Sequence, residues 1–96
     1  MSFVSQIPRV LTKQNVEALI PNQYGVYGIF RNNQWIYVGK GDIRKRLLEH
    51  LNGDIPSILN MRPTHWVDEV CSDPQMSIRE KELILELKPL CNQKIG

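Results

Sequence analysis

Six side chains carry chemistry that their spacing could bring together: Tyr27, Tyr37, Lys40, Arg46, His50 and Glu80. Both tyrosines lie in GVYGIFRNNQWIYVGKG, residues 25–41, where two runs rich in aromatic and β-branched residues flank Asn32-Asn33. A basic run follows at once. Lys40, Arg44, Lys45 and Arg46 fall within seven residues, opposed only by Asp42. Such a patch suits a nucleic-acid phosphate backbone, which rewards Lys and Arg through counterion release. A solvated helix face accounts for it equally well. At 100° per residue, Ile43, Leu47 and Leu51 share an arc of about 80°. Arg46 and His50, spaced i and i+4, lie together on one border of that stripe. They are either aimed across a sheet edge or are a snorkelling arginine and a surface histidine. Glu80 projects among Leu83, Ile84 and Leu87, away from Arg79, Glu82 and Glu86. A carboxylate on an apolar face needs a cation or strong donors, because unpaired burial costs several kcal/mol. A divalent metal or an arginine meets that need. The competing role is structural, since Ser77-x-x-Glu80 matches a capping box.

The elements that must position these groups can be read from breakers and periodicity. Residues 12–20, TKQNVEALI, suggest a short helix that stops before Pro21. Tyr24 to Phe30 and Trp35 to Lys40 read as a hairpin, because Asn32-Asn33 tolerates left-handed backbone. Asp42 is the expected N-cap of a helix to about Leu51, ended by Asn52-Gly53. Residues 53–63 read as loop with a helical turn near Ile55–Asn60, and HWVDEV, 65–70, as a third strand. Ser77 is expected to open a last helix that ends ahead of Pro89. The order α-β-β-α-β-α defines an α+β fold, a small antiparallel sheet of about three strands flanked by helices. Hairpin register carries a separate expectation. A plain two-residue turn would pair Tyr27 with Val38 and put Tyr27 and Tyr37 on opposite faces. A three-residue loop or a bulge would bring both to one face and leave Val26, Phe30, Ile36 and Val38 on the other. The second arrangement is expected, since it gives a cleaner apolar face and a shared site.

Composition excludes several classes. At 96 residues and 42% hydrophobic content, the sequence fits one folded domain, residues 1–96. No apolar run approaches the roughly 20 residues of a membrane span, and MSFVSQIPRV has no secretory pattern. Cys71 and Cys91 form no metal-ligand spacing with His50 or His65, so buried free thiols in a reducing cytoplasm are expected. Charge is asymmetric: residues 1–50 hold seven Lys/Arg against three acids, residues 51–96 five against seven. Gly39-Lys40-Gly41 is neither a Walker A loop nor a dinucleotide fingerprint, since Arg44 stands where the latter needs glycine. YGVYGIF has the look of an RNA-recognition strand, but that fold puts a long helix where this chain has a hairpin.

With those residues in hand, the chain resembles the GIY-YIG endonuclease superfamily. Its two signature strands appear as Gly25-Val26-Tyr27 and Tyr37-Val38-Gly39, with Val for the central Ile in both. Lys40, Arg46 and His50 follow, and E-x-x-L-I-x-x-x-x-P-x-x-N is present as Glu80, Leu83, Ile84, Pro89 and Asn92. The similarity runs from about residue 24 to residue 92, with residues 1–23 as an N-terminal extension, and implies a stand-alone catalytic domain.

What the resemblance implies is metal-dependent hydrolysis of a phosphodiester on one DNA strand, with RNA open as a substrate. Glu80 would ligate one divalent ion, Mg²⁺ or Mn²⁺, a hard cation that keeps waters. Arg46 would hold the phosphate and stabilise transition-state charge. Tyr27 or Tyr37 would orient or deprotonate the attacking water, assisted by Lys40 and His50. Lys40, Arg44, Lys45 and Arg46 would contact nucleic acid, while Gly25, Gly39 and Asn92 would be structural. A phenol acting as base near neutrality needs its anion stabilised by roughly 4 kcal/mol. A partner protein or a dimer would supply specificity. The rival reading is a nucleic-acid-binding module of the same fold that does not cut.

Overall fold

The computed structural model describes residues 2–92. Its elements are β1 (Arg9–Val10), α1 (Lys13–Glu17), β2 (Tyr24–Arg31), β3 (Gln34–Asp42), α2 (Ile43–Leu51), α3 (Pro56–Asn60), β4 (His65–Val70) and α4 (Gln75–Leu87). A 3₁₀ turn at Leu90–Asn92 follows. The sheet has four strands in the order β1-β4-β2-β3, every pair antiparallel. The α+β expectation holds, with one more strand than expected. That strand is only two residues long, Arg9–Val10 paired with His65 and Trp66, too short to leave an alternating pattern. The first helix is also shorter than expected; Thr12 caps it through the Asn15 amide and it stops at Glu17. Among the described residues no helix is long and apolar enough to cross a membrane.

The hairpin closes through Asn32-Asn33 between the pair Arg31↔Gln34, with Asn32 in left-handed backbone at φ 53°. Phe30 then pairs with Trp35 and Ile29 with Tyr37, which leaves Ile36 without a partner on β2. This is the expected bulge, and it brings Tyr27 and Tyr37 to one face with ring centroids 6.4 Å apart. One detail differs from expectation. Ile36, placed on the Val26 and Val38 face from the sequence, joins the tyrosine face instead, because the residue that the bulge inserts resets the alternation.

Helices cover both faces of the sheet. On one, Val16, Ile43, Leu47 and Ile58 from α1, α2 and α3 pack on Tyr27, Ile29, Ile36 and Trp66. On the other, Met76 and Leu83 of α4 pack on Val26 and Val38. Full burial of such aliphatic side chains stabilises a fold by about 1.5–3 kcal/mol each, so these two cores fix where the helices stand. Asp42 caps α2 as expected, accepting from the Lys45 amide at 3.3 Å.

α4 departs from expectation at its start. It begins at Gln75, and the Asp73 carboxylate accepts from both the Ser77 amide (3.1 Å) and the Ser77 hydroxyl (2.6 Å). Ser77 is therefore inside the helix, and no Ser77–Glu80 capping box forms. Asn92 closes the free edge of the sheet. Its side-chain amide donates to the Val38 carbonyl at 2.9 Å and its oxygen accepts from the Val38 amide at 2.7 Å.

Candidate active site

Gly39 makes room for the site. A Cβ there would lie 2.5 Å from Cζ of Tyr27 and 2.9 Å from Cε2 of Tyr37, so only glycine lets the first ring lie across the second strand. Tyr27 is fully buried, and its hydroxyl lies 2.6 Å from Nε2 of His50. His50 is equally buried, at 1% exposure, with its ring edge-on to Tyr37 at 5.0 Å. Nδ1 of His50 faces Oδ1 of Asp54 at 2.9 Å. Arg46, one turn before His50, is half-buried; its Nη1 is 2.5 Å from Oε1 of Glu49 and 3.8 Å from Oδ2 of Asp54. The guanidinium also lies close enough to both phenols for its charge to act on them.

Glu80 and Lys40 come from the opposite face of the sheet. Lys40 donates to Oγ of Ser77 at 2.6 Å, which holds its stem against α4. Glu80, next along that helix, is half-buried and makes no hydrogen bond or salt bridge among the described residues. It lies close enough to Lys40 and Tyr37 for their charges to interact. The six residues therefore straddle β3, the edge strand. Tyr27, Tyr37, Arg46 and His50 stand on the α2 side, Lys40 and Glu80 on the α4 side, and Tyr37 is where the two groups meet.

Electrostatics follow from burial. Desolvation raises the Tyr27 phenol well above its ordinary value, reinforced by Tyr37 and opposed by Arg46. Tyr37 is raised in the same way, with Arg46 opposing and Glu80 adding. Burial also raises the Glu80 carboxyl, with Lys40 pulling it back. Burial lowers His50, against the pull of Asp54 and with that of Arg46. The sign is testable. As pH falls below about 6.5 the unfolded chain gains a proton that the native imidazole resists, so folding stability must fall with pH there. The slope is at most about 1.4 kcal/mol per pH unit. Urea unfolding from pH 7 to 5.5 should show it, and His50→Gln should flatten it.

Other basic residues stand apart. Arg44 donates to the Glu17 carbonyl at 3.4 Å and so leans on α1, while Lys45 is exposed. A Cβ at Gly25 would run into backbone of β4, at Glu69 and Val70. Cys71 and Cys91 are free thiols, half-buried rather than fully buried. Glu49 and Asp54 were not singled out from the sequence. Their spacing, i+3 from Arg46 and i+4 from His50, was the available signal.

For a divalent ion, the donors fit only one kind of binding. Among the described residues no three His, Cys, Asp or Glu side chains cluster as a metal cage. Glu80 offers one hard carboxylate whose oxygens are not otherwise engaged. That suits an ion which takes one or two protein carboxylates and completes its shell with water and substrate phosphate.

This topology, with two tyrosines across a bulged hairpin and a glutamate on the last helix, is the GIY-YIG fold. No protein-family model matches the chain, and no curated protein does. Among solved structures, the chain is similar to the GIY-YIG N-terminal endonuclease domain of UvrC from Thermotoga maritima. In a tyrosine-to-phenylalanine mutant bound to its catalytic divalent cation, the TM-score is 0.73 at 23% identity, over 85% of this chain and 96% of that one. An asparagine-to-alanine mutant of the same domain, also bound to its catalytic divalent cation, gives 0.73 at 22% identity over the same shares.

Proposed function

We propose that this chain is a metal-dependent endonuclease that hydrolyses a DNA phosphodiester on one strand. The observation that supports this best is the convergence at β3 of an unengaged carboxylate, an anchored guanidinium and a half-exposed phenol. Glu80 would hold the ion, most simply Mg²⁺ or Mn²⁺, whose charge would stabilise the leaving oxygen. Arg46 binds the scissile phosphate and stabilises the charge that develops on it. Two carboxylates already flank that guanidinium, so a phosphate displaces Glu49, the more exposed of its partners, rather than a shell of water.

The tyrosines take different parts. The Tyr27 hydroxyl is committed inside the protein, whereas Tyr37, only half-buried, orients the attacking water. Burial favours both phenols in the protonated form, so orientation suits them better than proton abstraction. Lys40, steadied by Ser77, contributes a second positive charge for phosphate. Lys45, and to a lesser degree Arg44, contact the backbone further along the strand.

The test is cleavage of labelled single-stranded, duplex and branched DNA, and of RNA, with Mg²⁺ or Mn²⁺. Metal-dependent cutting of at least one DNA form that stops on adding a chelator is the expected outcome. Salt-sensitive binding by the folded protein with no cutting of any form would replace this reading with a binding module.

A further inference from the structure

The buried chain beneath Arg46 ends on a residue with no assigned part. Asp54 lies just past α2, after Asn52 and Gly53, and Gly53 turns the backbone at φ 85°. This turn brings the carboxylate back along the helix, with Oδ1 on Nδ1 of His50 at 2.9 Å and Oδ2 3.8 Å from Nη1 of Arg46. Continuing inward, His50 Nε2 meets the Tyr27 hydroxyl at 2.6 Å, and the Arg46 guanidinium lies close enough to the same phenol for its charge to act on it. The four side chains thus close a ring: Arg46, Tyr27, His50, Asp54 and back to Arg46.

We propose that Asp54 is a positioning residue of this site: it keeps the proton of His50 on Nδ1, so that Nε2 accepts the Tyr27 hydroxyl and the phenol oxygen turns its lone pairs to Arg46. The donor count dictates this arrangement. A carboxylate only accepts, so the nitrogen facing it must carry the hydrogen. A neutral imidazole then has one acceptor left, at Nε2, and the single donor in reach is the phenol. With its own hydrogen spent on His50, Tyr27 is free to accept from the guanidinium. Moving the His50 proton to Nε2 would set two donors, Nε2–H and Arg46, against one phenol oxygen. The hydroxyl hydrogen would then have to turn elsewhere in a fully buried pocket. Arg46 would lose the lone pairs that the phenol turns toward it, leaving its orientation to Glu49, half-exposed at 39%, and to the longer contact with Asp54.

The functional consequence rests on the nuclease reading; the proton's place does not. Two measurements therefore separate them. Long-range ¹H–¹⁵N correlation on the whole labelled protein at pH 7.5 reports the tautomer directly. The chain has two histidines, so His65→Gln completes the assignment. Wild type should show His50 protonated on Nδ1. Asp54→Asn, of the same shape, should move the proton to Nε2 and lower kcat for DNA cleavage by about 10²-fold, with KM within about twofold. Asp54→Glu should restore the Nδ1 tautomer and most of the rate. Because Asp54 is on an exposed loop, both variants should fold, the Asn variant with a somewhat lower unfolding midpoint because its Tyr27 hydroxyl loses a buried acceptor. A wild-type His50 protonated on Nε2, or an Asp54→Asn protein with the Nδ1 proton still in place, overturns the proposal. So does a tautomer change that leaves kcat untouched. If the wild type cuts no DNA, the nuclease reading falls, and the spectra still decide where the proton sits.

Discussion

Arg46→Ala should lower kcat for metal-dependent DNA cleavage by about 10²–10³-fold, the usual cost of losing one preorganised electrostatic contact to a developing charge. Arg46 is held by its ring of partners before any substrate arrives, so its orientation costs nothing at the moment of reaction. Arg46→Lys should recover little of the loss. An ammonium is a point charge and cannot engage a carboxylate and a phosphate at fixed angles, as a planar fork can. Glu80→Ala should cost at least as much and should also abolish the dependence of rate on metal concentration. With both groups acting on one phosphate, as proposed, the double variant should fall no more than about tenfold below the worse single one. Both side chains are half-exposed, so thermal unfolding midpoints should stay near wild type. Steady-state rates on the preferred DNA form check these values. Cutting that survives both substitutions would place the chemistry elsewhere in the preparation.

Gly25→Ala should act on stability instead. A Cβ at residue 25 would run into the Glu69 carbonyl and come within 2.9 Å of the Val70 Cα, both backbone atoms of the neighbouring strand. Backbone in a sheet cannot step aside as a side chain can. Relief must come from parting β2 and β4 near the pair Gly25↔Val70, at the cost of nearby bonds such as that from the Cys71 amide to the Tyr24 carbonyl. Overpacking of this kind costs about 1–3 kcal/mol, and the lack of any yielding atom puts Gly25 at the upper end. Urea unfolding should show a lower midpoint with an unchanged slope. Gly39→Ala makes an instructive contrast. There the added atom meets Tyr27 and Tyr37 side chains, so the damage should fall on the site as well as on stability.

Much of this architecture is legible in the residues themselves. The Asn32-Asn33 turn, the Asp42 cap and the amphipathic α2 follow from local chemistry, and so does the bulge, which alone lets two tyrosines an even number of residues apart share a face across this turn. Where the reading failed, the deciding interaction was not local. Ile36 changed faces because the bulge fell on it rather than elsewhere in the hairpin. Ser77 lost the N-cap because Asp73, four residues earlier, accepts from its amide and the helix already runs from Gln75. β1 exists because β4 has an open side, which nothing in Arg9-Val10 announces. Asp54 escaped notice because it sits beyond the helix end, where helical projection no longer applies. It meets His50 only through the turn at Gly53. Glu80 was legible for the right reason, as a carboxylate among leucines. The sequence alone did not show that it stands on the far side of the sheet.

The Asn92 clamp has a consequence for how this molecule can meet others. An edge strand ordinarily presents free amides and carbonyls that recruit a strand from another chain, whether a peptide ligand or a misfolded neighbour. Here a side-chain amide imitates one residue of such a strand and occupies Val38 from the outside, midway along β3. The opposite border is only two residues long. Along β3 the sheet is thereby guarded against β-augmentation, and the proposed nucleic-acid partner, which would bind through phosphate rather than peptide groups, has no strand to compete with at that edge.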